Sequence, residues 1–189
     1  MTTGHDITIQ RGATFRKPFL FQLPELLFRQ VSEFRNTSPI EAVSVAHGIP
    51  DNWPYWLENV KGQVSLERSR PSTPLLSKVP DPDTVAIPST NGFGNTAMSA
   101  TLVYRPPVDL TGATASMTFW APDGTQLEEY TEVAGLVIDP FGRITLDLAA
   151  ATTQALAWDN ATYELDITFA DATVVHYALG NAMVEGRSL

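Results

Sequence analysis

The three histidines of the chain are the side chains best suited to bind a metal ion or move a proton, and they lie far apart in the sequence. They are His5, His47 and His176, and no pair has the HxH or HxxxH spacing that places two imidazoles on one face of an element. The chain also has no cysteine, which excludes thiolate metal sites, disulfide bonds and cysteine nucleophiles. The sequence therefore predicts no metal site and no cofactor. We expect His47 to be a hydrogen-bonding turn residue and His176 to lie on the surface of a sheet.

Carboxylate pairs could act as a general acid and base or as calcium ligands. Asp81 and Asp83 flank Pro82 like the start of a calcium-binding loop, but the later ligands and the closing glutamate of such a loop do not follow. A turn before a strand explains them better. Glu128 and Glu129 are adjacent, so on a strand they point to opposite faces and cannot work together. Since no nucleophile-elbow, phosphate-binding or dinucleotide-binding motif is present either, we expect a protein that is not an enzyme.

The stretch NWPYWLENV concentrates aromatic side chains at Trp53, Tyr55 and Trp56, which are the candidate interface residues. Aromatic residues are enriched at protein-binding hot spots, and they also stack on sugars. On a strand, Tyr55 and Leu57 would point to one side and Trp56 to the other, so part of the group can belong to a core. Core packing, a protein interface and a carbohydrate platform all remain open. The NGFGN stretch, residues 91–95, has two glycines but no helix after it, and is interpreted as a plain loop.

The acidic composition restricts the partners of the protein. The net charge is -9 and the sequence pI is about 4.7, so there is no surplus of lysine and arginine to contact phosphates. No stretch approaches 18 consecutive apolar residues, and the first residues lack the basic and apolar pattern of a signal peptide. We expect neither nucleic acid nor a membrane as a partner, and a cysteine-free chain fits a reducing cytoplasm.

Apolar residues alternate with polar ones along much of the chain, which is typical of half-buried strands. We predict strands at residues 6–21 with a bend at Gly12, and at 40–45, 55–60, 84–87, 99–104, 113–120, 133–138, 143–148, 163–169 and from about 173. A helix is predicted in the alanine-rich residues 149–158. For residues 26–34, a second helix and a non-helical structure are equally favoured. The expected fold is all-β: an immunoglobulin-like antiparallel β-sandwich with an inserted small β-barrel lobe and one or two short helices.

The inserted lobe is suggested by a change in composition. Residues 39–102 contain eight of the 14 prolines, and their short apolar groups predict only a small core. We expect residues 1–22 plus 105–189 to form one discontinuous sandwich and residues 23–104 to form the proline-rich, barrel-like insertion. In that sandwich the N-terminal strand and the strand in PVDLTGATASMTFW are expected to be partners. Alternatively, the N-terminal segment is a free arm that docks on a neighbour by strand addition.

Three stretches, DITIQRGATFRKPFLFQ, PVDLTGATASMTFW and GRITLDLAAATTQALAWDNATYELDITFADATVVHYALGNAMVEG, together resemble a β-sandwich module of tailed-bacteriophage structural proteins. This module is related to the N-terminal domains of baseplate and tail-fibre components. YELD at residues 163–166 stands where the module has a YDLE-type strand, and ADA at residues 170–172 departs from its usual Asp-Gly hairpin. The middle segments VAHGIPDNWPYWLENVKG, VPDPDTVAI, NGFG and ATLVY are similar to a β-barrel insert of phage tail proteins, related to the FCCH domain of ubiquitin-activating enzymes.

The resemblance implies a non-enzymatic virion structural protein of a tailed phage, an adaptor or assembly component of the tail, baseplate or neck. Its partners would be other virion proteins and symmetric copies of itself, and it would be located in the virion after assembly in the host cytoplasm. The alternatives are a capsid decoration protein and a receptor-binding carbohydrate module on the tail, the latter with Trp53, Tyr55 and Trp56 as its platform. Neither resemblance brings catalytic residues with it.

Overall fold

The computed structural model describes residues 6–186 and, of Ala178, the backbone alone. Within this range there are 16 strands, one α-helix, α1 (Ala150–Ala155), and a 3₁₀ turn at Val64–Leu66. The strands are β1 (Ile7–Gln10), β2 (Phe15–Leu20), β3 (Leu27–Val31), β4 (Glu33–Arg35), β5 (Ile40–Val43), β6 (Pro54–Lys61), β7 (Leu75–Leu76), β8 (Lys78–Asp81), β9 (Thr84–Ile87), β10 (Ser99–Tyr104), β11 (Thr114–Trp120), β12 (Gln126–Thr131), β13 (Leu136–Asp139), β14 (Arg143–Leu148), β15 (Asn160–Thr168) and β16 (Val174–Glu185). The expected all-β class with a short helix is confirmed.

The chain divides into two compact units. Unit 1 contains the residues up to 21 and those from 109 onwards, and unit 2 is Gln22–Val108. The boundaries expected from the sequence were after residues 22 and 104. Unit 1 is therefore built from two separate parts of the chain, with unit 2 encoded between them.

Unit 1 contains a five-stranded sheet in the order β1-β16-β15-β11-β12 and a three-stranded sheet in the order β13-β14-β2. Phe19 on β2 and Tyr163 on β15 bring their ring centroids to 6.1 Å, which shows that the two sheets pack face to face. Every strand pair of unit 1 is antiparallel except β1 with β16, which is parallel. A parallel pair needs a long connection, and here almost the whole chain lies between the two strands.

The N-terminal segment does not pair with β11, contrary to the expected partnership. Its bend at Gly12, where φ is +72°, separates β1 from β2 and sends them to different sheets. β1 pairs with β16 and β2 pairs with β14, whereas β11 lies between β12 and β15. The bend was visible in the sequence, but the partners on either side of it were not.

The core of unit 1 follows from the alternation of its strands. On β15, Tyr163, Leu165 and Ile167 are fully buried, as the sequence predicts. Phe119 on β11 lies at the centre of an aromatic group, with ring centroids 5.4–5.9 Å from three neighbours. These neighbours are Tyr130, Trp158 and Tyr163.

Unit 2 contains two four-stranded sheets, in the orders β3-β10-β6-β7 and β4-β5-β9-β8. Their buried side chains form a single core, larger than the short apolar groups suggested. It contains Val31, Phe34, Ile40, Ala42, Ile49, Trp53, Tyr55, Leu57, Val60, Leu66, Val85, Ile87, Ala100, Leu102 and Tyr104. The core is large because many short strands each contribute one or two side chains. The strand pairings among residues 22–108 leave the two sheets separate, so a closed barrel remains a prediction.

The helix expected over residues 26–34 is wrong, because these residues form β3 and β4. β3 pairs along its whole length with β10, with Leu27 opposite Tyr104 and Val31 opposite Ala100. This pairing satisfies the backbone and buries Val31 completely, which outweighs the weak helical spacing of the apolar residues.

Part of the acidic composition is used in turns. Five aspartates accept a hydrogen bond at 2.9–3.0 Å from the backbone N–H two residues further on. They are Asp81, Asp109, Asp123, Asp139 and Asp171. Such aspartates fix tight turns between strands, and the bond of Asp81 to Asp83 is the turn that was expected there. At Asp123 and Asp171 the backbone N–H groups of Thr125 and Thr173 hold the carboxyl pKa below its usual value.

Candidate functional site

The three candidate interface aromatics do not share a surface. Trp53 and Tyr55 are 0% exposed and belong to the core of unit 2, where the indole Nε1 of Trp53 donates to the Arg105 carbonyl at 2.8 Å. Trp56 points to the other side of β6, as alternation predicts, and is half-buried. Its Nε1 donates to the Ser72 carbonyl at 2.7 Å. The core interpretation therefore applies to Trp53 and Tyr55, and a platform of all three aromatics is wrong because two of them are enclosed.

Trp56 instead belongs to an apolar row on the outer face of the β3-β10-β6 sheet. Phe28 on β3 and Trp56 on β6 lie on either side of Val103 on β10. Phe28 is 56% exposed, and the Arg70 guanidinium carbon lies 5.5 Å from the centre of its ring. The sequence did not indicate Phe28, because it fell within a segment with helical spacing.

Arg70 is held over this row by a two-point ion pair. Its Nε lies 2.8 Å from Oε1 of Glu58, and its Nη2 lies 3.2 Å from Oε2. Hydrogen bonding by Arg70 lowers the pKa of Glu58 below its usual value. A guanidinium fixed in this way beside an exposed aromatic ring is an arrangement often found at protein contacts.

Phe93 is the most exposed aromatic side chain described, at 96%. Its loop is nevertheless well anchored, because Gly92 N–H donates to Thr37 O at 2.9 Å and the Asn95 side-chain amide donates to Asn36 Oδ1 at 2.9 Å. A Cβ at Gly92 would lie 2.5 Å from Thr37 O, so the close approach requires glycine. The plain loop expected at NGFGN thus holds a phenyl ring in solvent on a fixed backbone.

Unit 1 has a similar feature at Val133, which is also 96% exposed. It lies at the tip of a tight turn in which the backbone groups of Thr131 and Ala134 exchange hydrogen bonds of 3.2 and 2.9 Å. Each unit therefore presents an apolar side chain at a turn fixed by backbone hydrogen bonds. For Phe93 the sequence hint is an apolar residue inside a predicted loop. Val133 was instead expected to begin a strand, which starts only at Leu136.

The chain matches no protein-family model, no curated protein and no solved structure.

Of the other histidines and carboxylates, Asp81 and Asp83 lie near His47, whereas His176 and Glu129 have separate partners. His176 is exposed on β16, and its Nδ1 lies 2.5 Å from Asp166 Oδ1, while His5 lies outside the described residues. Glu129 accepts a hydrogen bond from the Ser116 hydroxyl at 2.8 Å. Among residues 6–186, no three histidine, aspartate or glutamate side chains are grouped so that they could hold a metal ion. No helix in the same range is long and apolar enough to cross a membrane.

His47 is the turn residue that the sequence predicted, but it is buried, with 1% of its surface exposed. Its Nδ1 accepts the Ile49 N–H at 3.0 Å, which places the ring proton on Nε2, and its carbonyl accepts the Tyr104 hydroxyl. Burial lowers the pKa of His47. This lowering of the pKa is opposed only in part by hydrogen bonds with the backbones of Thr84 and Asp81 and by the negative charges of Asp83 and Asp81.

We expect unit 2 to lose stability as the pH falls below about 6.5, the ordinary pKa of histidine in an unfolded chain. The unfolded state then binds a proton that the folded state accepts only below its lowered pKa, so the free energy of unfolding decreases by at most about 1.4 kcal/mol per pH unit. The control is His47→Asn, whose side-chain oxygen can still accept the Ile49 N–H but does not titrate. Urea unfolding of both proteins between pH 8 and 5, with hydrogen exchange assigning the loss to unit 2, measures the difference. Parallel stability curves for the two proteins would contradict the prediction.

Proposed function

We propose that this chain is a non-enzymatic structural protein of a tailed-bacteriophage virion, an adaptor or assembly component of the tail, baseplate or neck. It would act by contacts with other virion proteins and with symmetric copies of itself, and it would be found in the assembled particle. The sequence resemblance described above supports the phage assignment. The structure supports the more general part, a protein that works through its surface.

The observation that carries this proposal is that both units present an apolar side chain almost wholly in solvent on an anchored turn. Phe93 and Val133 are each 96% exposed, although nothing in their turns prevents a polar residue at these positions. Leaving apolar area in water is unfavourable, and fixed apolar projections are suited to enter a partner. On the outer face of the β3-β10-β6 sheet, Phe28 and the half-buried Trp56 lie on either side of the buried Val103 and add a partly exposed apolar surface.

A capsid decoration protein would use the same kinds of surface, and it remains the alternative within this class. The carbohydrate-module alternative loses its platform, because Trp53 and Tyr55 are enclosed and only Trp56 and Phe28 are accessible on the outer face.

The proposal is tested on particles purified from a lysate of cells in which the gene is expressed from its native phage or prophage. We expect the chain to co-purify with particles through a density gradient, and antibody labelling to place it on the tail, baseplate or neck. Labelling of the capsid surface would select the decoration alternative, and absence of the chain from particles would refute a virion role. A glycan array probed with the native chain and with Trp56→Ala tests the carbohydrate module, which is excluded if the native chain binds no glycan.

A further inference from the structure

A pocket of unit 2 shares its wall with the loop that carries Phe93. The pocket has a volume of about 320 Å³, and Ser89, Thr90 and Asn91 form one side of it. Aliphatic side chains also line it, namely those of Ile40, Leu66, Leu75 and Ile87, together with the polar side chains of Gln63, Ser65 and Arg68. Phe93 follows two residues after Asn91 but is 96% exposed, so the ring does not occupy the pocket of its own chain. An exposed apolar side chain therefore follows closely in the chain after a pocket whose lining is partly aliphatic and partly polar.

We propose that this pocket and loop form a self-association surface, on which Phe93 of each of two copies inserts into the pocket of the other across a two-fold axis. A two-fold interface uses the same surface patch twice, so the patch must be complementary to itself. A projection next to a matching pocket satisfies this condition. The inference does not depend on a role in a virion.

The pocket is large enough for a phenyl ring, and its aliphatic side chains can pack against one. A cavity of about 150 Å³ is sufficient to bind benzene in a protein, so about 320 Å³ accommodates the ring with room for its entry. Arg68 also lines the pocket, where its guanidinium can contact the face of an inserted ring. Residues 91–97 contain no charged side chain, so the loop brings no local repulsion to the contact.

The loop is preorganised for insertion. In addition to the bonds to Thr37 and Asn36, Thr96 N–H donates to Gln63 Oε1 and its hydroxyl donates to Gly62 O, each at 3.0 Å. Binding therefore orders little more than the Phe93 side chain, which reduces the entropy lost on association.

The contact is expected to be weak for an isolated chain. Each ring buries about 150–250 Å², and two rings alone fall short of the roughly 1,200 Å² of a standard interface. We expect a dissociation constant on the order of 10⁻⁴ M. Because the net charge of -9 repels a second copy, added salt should strengthen the dimer.

Sedimentation equilibrium of the full chain over a wide concentration range tests the proposal. The native mass should rise from 20.6 kDa toward twice that value with concentration and should not exceed it. Phe93→Asp removes the projection, and Ser65→Trp fills the entrance of the pocket from an exposed position that lines it. Each should weaken self-association by at least about tenfold. Val137→Asp, at another exposed apolar position, in unit 1, is the control and should leave the dissociation constant unchanged.

Mixing the two variants provides the sharper test. The Phe93→Asp chain keeps its pocket and the Ser65→Trp chain keeps its projection, so the mixture should form a heterodimer more tightly than either variant forms a homodimer. Circular dichroism confirms that each variant is folded. A native chain that stays monomeric up to about 1 mM, tenfold above the expected dissociation constant, overturns the proposal. The proposal is also overturned if Phe93→Asp leaves the association unchanged or if the mass grows beyond that of a dimer. A mixture of the two variants that associates no more tightly than either variant alone overturns it as well.

Discussion

Removal of residues 2–11 should lower the melting temperature of unit 1 by more than about 15 °C. The deletion takes away β1, whose Ile7 and Ile9 are almost completely buried and contribute about 1.5–3 kcal/mol each. It also removes Arg11, which donates to Trp158 O at 2.9 Å and to Asp159 Oδ1 at 2.7 Å. The backbone of β16 loses a parallel partner as well. Against a total stability of about 5–15 kcal/mol, this loss leaves unit 1 marginal or unfolded.

Two point variants within β1 distinguish the stability contributed by its buried side chains from that contributed by the pairing of its backbone. Ile9→Ala should destabilise unit 1 by about 2–5 kcal/mol because Ile9 is 0% exposed, whereas Thr8→Ala, on the exposed side, should cost less than about 1 kcal/mol. Differential scanning calorimetry and urea unfolding measure both. If the deletion leaves thermal unfolding unchanged, the N-terminal segment is a free arm and not a strand of unit 1.

Gly62→Ala should destabilise unit 2 by more than about 4 kcal/mol, an effect of exceptional size for one methyl group. The φ of Gly62 is +91°, and an added Cβ would lie 2.0 Å from the Thr96 carbonyl oxygen. That oxygen belongs to backbone tied to the same place, since Thr96 Oγ1 donates to Gly62 O at 3.0 Å and Met98 N–H donates to Lys61 O at 2.9 Å. The clash can be relieved only by moving the junction between β6 and β10.

Gly94→Ala is the matched control, because Gly94 also has a positive φ, +72°, but no atom lies within 4 Å of the added Cβ. It should cost only about 1–2 kcal/mol, the penalty of a left-handed conformation for an alanine. The difference between the two variants in denaturant unfolding therefore isolates the steric clash from the backbone conformation. Equal losses at the two sites would show that the clash at Thr96 is absorbed without strain.

The local patterns of the sequence were sufficient to predict the strands with clear alternation. β9, β10 and β14 begin and end at the predicted residues, and β15 buries the predicted face. Alternation also separates Tyr55 from Trp56 without knowledge of any partner strand. The two-residue period of a strand determines which side chains share a face, and it does so whichever sheet the strand joins.

Weaker patterns were misleading where tertiary contacts determine the secondary structure. The apolar spacing in residues 26–34 suits a helix, but pairing with β10 makes it a strand. β12 was not predicted, because Glu128 and Glu129 interrupt its alternation, and it forms as the partner of β11. Ala172 has a φ of +65° at the point where the module that the sequence resembles has an Asp-Gly hairpin, so the turn forms here without the glycine that would have indicated it.

The sequence by itself determined the all-β class, the faces of the strongest strands and the turns at Asp81 and Gly12, because each depends on residues close together in the chain. Only the tertiary structure decided that β1 pairs in parallel with β16, that Trp53 and Tyr55 are enclosed while Phe28 is exposed, and that the loop of Phe93 lines a pocket. Each of these depends on which distant segments meet. Strand partners and the burial of a given side chain are set by the summed packing of the whole unit, which no local pattern contains.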